Sequence, residues 1–262
     1  MTEQELKTLP IAPADNAAME KARQRQAELA KPPGSLGKLE DYSIRLAGIT
    51  GNVKNEIEKC RVIVLAADNG VTAEGVSSAP TSVTLSQVIN MTRHITGMSS
   101  LAFYFGNEVV VADLGIDTDR KIPGVLDRKI RRSTGNIAKE RAMTRQQVLD
   151  AMAVGLDLAA DAAKDGVNAV GVGEMGIGNT TTSAAVLSAL TGATPEAVTG
   201  RGGGLTDQAF AVKKQVITQA LALHHPDRED VVDVLSAVGG LDLAAMTGVF
   251  LGCALQHIPA VV

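Results

Sequence analysis

Glycines and small polar residues recur in segment 171–182, and their spacing is typical of a loop that binds phosphate. Gly173, Gly178 and Thr180 nearly match the P-loop pattern, but asparagine stands at position 179, where that pattern requires a lysine. The sequence therefore argues against an NTPase. A glycine turn presents backbone N–H groups, and the start of the following helix adds positive potential, so we still expect a phosphate here.

Two other interpretations of this segment remain open. Gly171, Gly173 and Gly176 fit the dinucleotide fingerprint, which needs an acidic residue at the end of the next strand, about twenty residues on. The candidate, Glu196, follows Pro195 in a predicted loop, so an NAD-dependent oxidoreductase is the weaker hypothesis. A tight turn without a ligand is the other alternative.

A second glycine-rich segment, 200–206, also precedes a predicted helix. Its consecutive glycines cost chain entropy, which favours a second anion or sugar contact over a simple turn. Lys213 lies about two turns into that helix, where it is either solvated or a counter-charge for phosphate. Glu174 stands inside the first segment, and a carboxylate there must face ribose hydroxyls or positive charge rather than phosphate. An exposed turn glutamate is the alternative.

Three short apolar runs, 61–67, 108–113 and 167–172, predict buried parallel strands, because strands covered on both faces lack polar alternation. Predicted helices lie between and after them, at 83–97, 144–164, 180–190, 206–223 and 241–256. This alternation predicts an α/β fold with a parallel, Rossmann-like sheet flanked by helices.

Polar residues follow these strands at their carboxyl ends. Ligands of parallel α/β sheets bind outside those ends, so we expect Asp68, Asp113 and the segment 173–179 to lie close together. Each aspartate either binds a ligand or caps a neighbouring helix.

Two polar helices precede the first strand. Asp15 can cap a helix at 13–30, a diproline then breaks the chain, and Ser35 can cap a second helix at 36–51. The chain is thus expected to divide into a small helical N-terminal part, 1–55, and a parallel α/β nucleotide-binding core, 56–262.

The composition excludes several classes of protein. The 262 residues carry a formal net charge of -4, so no basic surplus exists to neutralise a nucleic-acid backbone. The N-terminus lacks the apolar core of a signal peptide and no stretch fits a membrane span, which predicts a cytoplasmic protein without nucleic-acid or membrane partners. Cys60 and Cys253 are expected to be reduced thiols, and the histidines show no metal-ligand spacing.

Unusual motifs run in order along nearly the whole chain, at 31–40, 67–71, 80–87, 90–92, 113–115, 133–137, 173–182, 200–206 and 236–240. Together they resemble the nicotinate-nucleotide–dimethylbenzimidazole phosphoribosyltransferases, a family in the lower-ligand branch of cobalamin synthesis. Several of the motifs are long, so the resemblance is specific.

The resemblance implies a reaction in which a benzimidazole nitrogen attacks the ribosyl carbon of nicotinate mononucleotide, nicotinate leaves, and α-ribazole 5′-phosphate forms. The leaving group is already a pyridinium, so neither a cofactor nor a metal ion is implied. Matching the family's motifs, the residues expected to hold the nucleotide are Gly176, Asn179, Thr180, Gly202, Gly203 and Lys213. Glu174 would play a supporting catalytic role facing the ribose or the reacting centre, and Pro80, Thr84 and Gln87 would line the benzimidazole pocket.

In one respect the chain differs from the family pattern. Family members continue beyond a segment like 256–262, and the continuation carries the glutamate proposed as their general base. We therefore expect this chain, without that base and closing segment, to be nearly inactive or poorly soluble alone. The resemblance also implies a homodimer; a non-catalytic nucleotide-binding paralogue, or a subunit of a heteromeric transferase, is the alternative function.

Overall fold

A parallel sheet forms the centre of the protein, whose computed structural model describes residues 1–261. Its strands are β1 Cys60–Ala67, β2 Glu108–Gly115, β3 Leu126–Asp127, β4 Ala169–Met175 and β5 Ala260–Val261. They are ordered β3-β2-β1-β4-β5 and every pairing is parallel. The predicted α/β fold with a parallel sheet is confirmed, and the carboxyl ends of β1, β2 and β4 lie at one edge.

Helices precede, connect and cover the strands. They are α1 Glu3–Lys7, α2 Asn16–Glu28, α3 Lys38–Thr50, α4 Ser82–Thr92, α5 Gly97–Tyr104, α6 Arg145–Lys164, α7 Asn179–Thr191, α8 Pro195–Val198, α9 Asp207–His224, α10 Val231–Val238 and α11 Leu241–Leu255. Within residues 1–261, none of these helices combines the length and apolar character needed to cross a membrane.

The two predicted N-terminal helices form, with one error at a cap. Asp15 caps α2 as expected, with its Oδ1 accepting the Ala18 N–H at 2.9 Å. Ser35 does not cap α3; Gly37, at φ 55°, precedes that helix without a side-chain cap. The Glu40 carboxylate reaches back instead and accepts the Leu36 N–H at 3.2 Å, so the helix start moves downstream.

The helix predicted at 83–97 is two helices. The first, α4, ends at Thr92, and His94 adopts a φ of 58°, a left-handed conformation that an α-helix cannot continue. Thr96 then begins α5 with a capping box shared with Ser99. Apolar periodicity continued across this break in the sequence, which is why the prediction joined the two.

The strand predicted at 167–172 corresponds to β4, which lies further along the chain. It runs from Ala169 to Met175, with Gly173 opposite Val64 and Glu174 opposite Leu65 of β1. The first half of the glycine-rich segment is therefore strand, not loop. Val167, expected to open the strand, donates its N–H to Ala162 O at 3.0 Å and still belongs to the turn after α6.

Side chains of β1 alternate between two cores. Ile63 and Leu65 belong to the core that includes α6 and α11, whereas Val64 belongs to the core beneath α4. Helices α6 and α11 approach until their backbones touch: a Cβ on Gly155 would lie 2.1 Å from Ala245 O. The start of α11 lies close to the end of β1, since a Cβ on Gly115 of β2 would lie 2.5 Å from Leu241 Cδ1 and 3.5 Å from Ala67 Cβ.

Candidate active site

Glu174 stands at the end of β4, where the chain leaves the sheet. Its Oε2 accepts a short hydrogen bond from Asn179 Nδ2, and Asn179 Oδ1 accepts the Thr180 N–H at 2.6 Å. Asn179 therefore links the carboxylate to the first turn of α7. Burial raises the pKa of Glu174, and the bond from Asn179 partly opposes this by favouring the charged form.

The turn between β4 and α7 requires glycine at two positions. A Cβ on Gly176 would lie 2.1 Å from Ala67 O, a distance too short for any residue with a side chain. Gly178 has a φ of 95° and caps α7. The turn is therefore pressed against the end of β1.

Most amides of this turn are already bonded within the protein. Ile177 N–H donates to Thr84 Oγ1 at 3.0 Å, and Asn179 N–H donates to Gly176 O at 3.1 Å. With the Thr180 N–H held by Asn179, the turn is not the open ring of free N–H groups that the sequence suggested. A phosphate here needs donors from outside the turn.

Lys213 supplies such a donor. Its side chain is fully buried, contrary to the usual behaviour of a lysine on a helix, and its Nζ donates to Thr180 Oγ1 at 2.7 Å and Gly200 O at 3.1 Å. An ammonium has three donors, so one remains. Burial lowers the pKa of Lys213, and no acidic side chain within residues 1–261 pairs with it. A buried cation without a counter-ion favours binding of an anion.

The two glycine segments meet at this ammonium. Gly202, at φ 54°, stands where a Cβ would lie 2.9 Å from Thr180 Oγ1 and 3.6 Å from Lys213 Nζ. Together they line a cavity of about 100 Å³ that includes Ser77, Ser78, Gly178, Asn179, Thr180, Arg201, Gly202, Gly203 and Lys213. The two serines were not predicted from the sequence, although they lie just before the motif that begins at position 80.

The predicted benzimidazole residues are only partly connected to this cavity. Thr84 is buried and accepts the Ile177 N–H, so the first turn of α4 contacts the glycine turn. Gln87 lies three residues further along α4, on the same side of the helix, and Pro80 is exposed before it. Across residues 1–261, no hydrogen bond joins the Gln87 or Pro80 side chain to another candidate residue.

The two strand-end aspartates differ in their surroundings. Asp113 is engaged structurally: its Oδ1 accepts the Ile116 N–H at 2.8 Å and its Oδ2 lies 3.0 Å from Lys129 Nζ. Asp68 Oδ2 accepts the Asp117 N–H at 2.9 Å, and burial raises the pKa of Asp68. Asp68 thus orders the loop after β2 at the edge where the candidate residues lie.

Sequence reasoning also missed a buried pair beneath the glycine turn, Asn69 and Asp242. Both side chains are fully buried. Burial, followed by the nearby Glu174 carboxylate, raises the pKa of Asp242 to about 7. The diglycine that precedes α11 resembles the other glycine turns and was the one signal that could have pointed here.

A larger cavity lies beyond β2, away from the glycine turns. It measures about 480 Å³ and is lined mainly by alternating charges, including Asp113, Asp119, Arg120, Lys121, Lys129 and Arg131. Lys129 is already bound to Asp113 and to the carbonyls of Ile116 and Thr118. Because the buried donor and both glycine turns lie elsewhere, we place the candidate site at the smaller cavity. Residues 1–261 contain no cluster of three or more His, Cys, Asp or Glu side chains arranged to hold a metal ion.

The parallel sheet, the paired glycine turns at its carboxyl edge and the uncompensated lysine define an α/β enzyme of the kind that binds a phosphorylated sugar. A family model described as "Phosphoribosyltransferase" matches residues 11–262. The chain belongs to this family, whose members among its relatives are nicotinate-nucleotide–dimethylbenzimidazole phosphoribosyltransferases.

Individual relatives match over nearly the whole chain. The enzyme of that name from Clostridium perfringens is 48% identical over 248 residues, covering 95% of this chain and 69% of the relative. The one from Geobacter sulfurreducens is 46% identical over 253 residues, covering 96% and 72%. The crystal structure of CobT from Thermus thermophilus superposes with a TM-score of 0.89 at 39% identity, covering 93% of this chain and 73% of that one. The family resemblance inferred from the motifs is confirmed.

Proposed function

We propose that this phosphoribosyltransferase transfers the phosphoribosyl group of nicotinate mononucleotide to 5,6-dimethylbenzimidazole, giving α-ribazole 5′-phosphate and nicotinate in cobalamin biosynthesis. The names of the relatives supply the two substrates. The observation that carries the proposal is Lys213, a buried ammonium between two glycine turns with no carboxylate partner among the described residues.

The 5′-phosphate binds beside Lys213 in this proposal. Its charge replaces the missing counter-ion and offsets the cost of burying the ammonium. Gly202 and Gly203 allow the backbone to approach the phosphate, and Thr180 orients the ammonium through its hydroxyl. A charge-assisted hydrogen bond of this kind contributes about 1.5–3 kcal/mol.

The ribose then lies toward Glu174 and Asn179. As the glycosidic bond to nicotinate breaks, its electron pair returns to the pyridinium nitrogen and positive charge develops on the sugar. The Glu174 carboxylate is buried enough for its charge to stabilise that cation, because a low dielectric strengthens the attraction. The benzimidazole nitrogen forms the new bond to the same carbon, and the resulting benzimidazolium afterwards releases its N–H proton to water.

The benzimidazole is proposed to lie against the start of α4. Thr84 supports this placement, because it is hydrogen-bonded to the turn that follows Glu174. Gln87, one turn further along, offers a donor and an acceptor that would orient a ring nitrogen, and Pro80 would close the pocket at its rim.

The direct test incubates the purified chain with both substrates and follows all products by chromatography and mass spectrometry. Equal amounts of nicotinate and α-ribazole phosphate, both dependent on the benzimidazole, support the proposal. Binding of the nucleotide is measured separately by calorimetry, so that the donor site is tested independently of turnover. A chain that neither binds nicotinate mononucleotide nor forms product would refute the assignment.

We also propose that the protein is a cytoplasmic homodimer. The free thiols of Cys60 and Cys253 suit a reducing compartment. Helix α5 exposes Leu101, Phe103 and Tyr104, large apolar side chains of the kind that subunit interfaces cover. Light scattering on the purified protein tests the state: a mass of one chain at micromolar concentration would contradict the dimer.

A further inference from the structure

Asp242 lies directly beneath the candidate site, enclosed by two glycine turns. A Cβ on Gly176 would lie 3.2 Å from Asp242 Oδ2, and one on Gly240 would lie 2.1 Å from Asp242 Oδ1. The carboxyl is therefore in contact with the backbone of both turns. Its only hydrogen bond to a described residue is from the Leu243 N–H to Oδ1, at 2.9 Å; Oδ2 has no partner within residues 1–261.

Asn69 lies alongside this carboxyl. A Cβ on Gly176 would lie 3.1 Å from Asn69 Nδ2, and one on Gly240 would lie 3.0 Å from Asn69 Oδ1. The amide nitrogen and Asp242 Oδ2 thus flank one glycine position, and the amide oxygen and Asp242 Oδ1 flank the other. An amide and a neutral carboxylic acid placed side by side can form a cyclic pair, in which the acid donates to the amide oxygen and accepts from its nitrogen.

The charged form of Asp242 suits this position poorly. Ionised, it offers no proton to the unpartnered oxygen of Asn69, in a fully buried site. The charged group that acts on Asp242 is Glu174 from β4, which repels it; the neutral Asn69 amide and the Leu243 N–H oppose this repulsion by favouring the charged form. Neither atom of the Asn69 amide has a hydrogen-bond partner among the described residues, and a proton on Asp242 supplies the donor that the amide oxygen lacks.

We propose that Asp242 is a positioning residue that works as a neutral acid: paired with Asn69, it holds the Gly176 turn, and thereby Glu174 and Asn179, in place for the nucleotide. The effect on nucleotide binding rests on the proposed function. The protonation state of Asp242 does not. When Asp242 ionises, the pair loses a hydrogen bond and a second negative charge joins Glu174. The turn above it then loosens and nucleotide affinity falls.

The first experiment addresses the pair without any ligand. In protein labelled with ¹³C at aspartate carboxyl carbons, one aspartate is expected to titrate near neutral pH, and its signal is absent from Asp242→Asn. In Glu174→Gln the same signal should titrate at lower pH, because the neighbouring charge is gone. Asp113→Asn, at another buried aspartate of the same sheet edge, is the matched control and should leave it unchanged. An Asp242 that titrates like an exposed aspartate would overturn the proposal.

The second experiment addresses the site above. Calorimetry measures the dissociation constant for nicotinate mononucleotide between pH 6 and 8.5. We expect the wild-type affinity to fall relative to Asp242→Asn by about tenfold over this range, within the usual size of coupling between two sites. The binding of the wild type should also take up protons near pH 7.5, whereas the variant should not.

The outcomes separate the two proposals. A constant ratio of the two dissociation constants across the pH range would show that Asp242 does not position the site, even if both proteins bind the nucleotide. Failure of both proteins to bind would refute the proposed function, while the carboxyl titration would still decide the state of Asp242. Should Asp242→Asn not fold, the comparison of wild type with Glu174→Gln in the titration remains decisive.

Discussion

Replacing Asp242 by asparagine should change how the stability of the protein depends on pH. The pKa of Asp242 rises from 3.8 to about 7 on folding, because the carboxyl is buried next to Glu174. A group whose folded pKa is raised binds more protons in the folded state, so its contribution to stability is fully present below pH 3.8 and is lost as pH rises toward 7. The neutral asparagine has no such dependence.

The size of the effect follows from the two pKa values. A shift of this size corresponds to about 4 kcal/mol lost between strongly acidic and alkaline pH, of which about 3 kcal/mol is lost between pH 5 and pH 8. The difference in free energy of unfolding, variant minus wild type, should therefore increase by about 3 kcal/mol between these two pH values. Urea unfolding followed by circular dichroism measures it, with both proteins at each pH.

Taking the difference cancels the titrating groups that do not interact with Asp242, while Glu174, which does, contributes to the measured change. Asp113→Asn, which removes a buried carboxylate of the same sheet edge that is paired with Lys129, is the control for the loss of a buried aspartate. If the stabilities of wild type and Asp242→Asn change in parallel from pH 5 to pH 8, then the folded protein does not hold a proton on Asp242, and the argument from its burial is wrong.

Three further predictions concern the substrates. Lys213→Met should weaken binding of nicotinate mononucleotide about tenfold or more while hardly affecting the nucleoside without phosphate, since one charge-assisted bond is lost; the neighbouring Lys214→Met is the control, and equal losses for both ligands would contradict the phosphate assignment. Gly176→Val should abolish nucleotide binding in calorimetry, because its side chain would meet Ala67 O at 2.1 Å; unchanged affinity would rule out a close turn. Gln87→Ala should alter the ranking of competing benzimidazoles more than the nucleotide affinity, and an unaltered ranking in a competition assay would remove Gln87 from the base pocket.

Local patterns in the sequence were enough to predict the two central strands β1 and β2, but not the short edge strands β3 and β5. Continuous apolar runs mark β1 and β2, because a strand covered on both faces needs no polar alternation. The same rule misplaced β4, whose glycines at 171 and 173 look like a loop but pair with Val62 and Val64 of β1. Neighbouring strands stabilise an extended conformation there that the glycines themselves do not favour.

The candidate site was predictable only where its signal is local. The glycine turns and the caps of α7 and α9 are read from neighbouring residues, whereas the burial of Lys213 depends on Thr180 and Gly200, which another element brings to it. Asn69 and Asp242 are the extreme case, since they lie in distant parts of the chain and neither local sequence indicates that the two side chains meet. Their partnership arises because α11 begins directly behind the end of β1.

The glycine contact between α6 and α11 gives remote positions influence over the site. Besides Gly155, Gly248 would place a Cβ 2.0 Å from Met152 O, so neither helix can slide or rotate without moving the other. Because α11 carries Asp242 at its first turn and Gly155 contacts Ala245 one turn later, an added methyl group at Gly155 would push this part of α11 away from α6 and displace the floor of the nucleotide site. Substitutions that change substrate affinity can therefore occur at this contact between α6 and α11, which no substrate atom reaches. A search for altered specificity confined to the residues lining the cavity would overlook them.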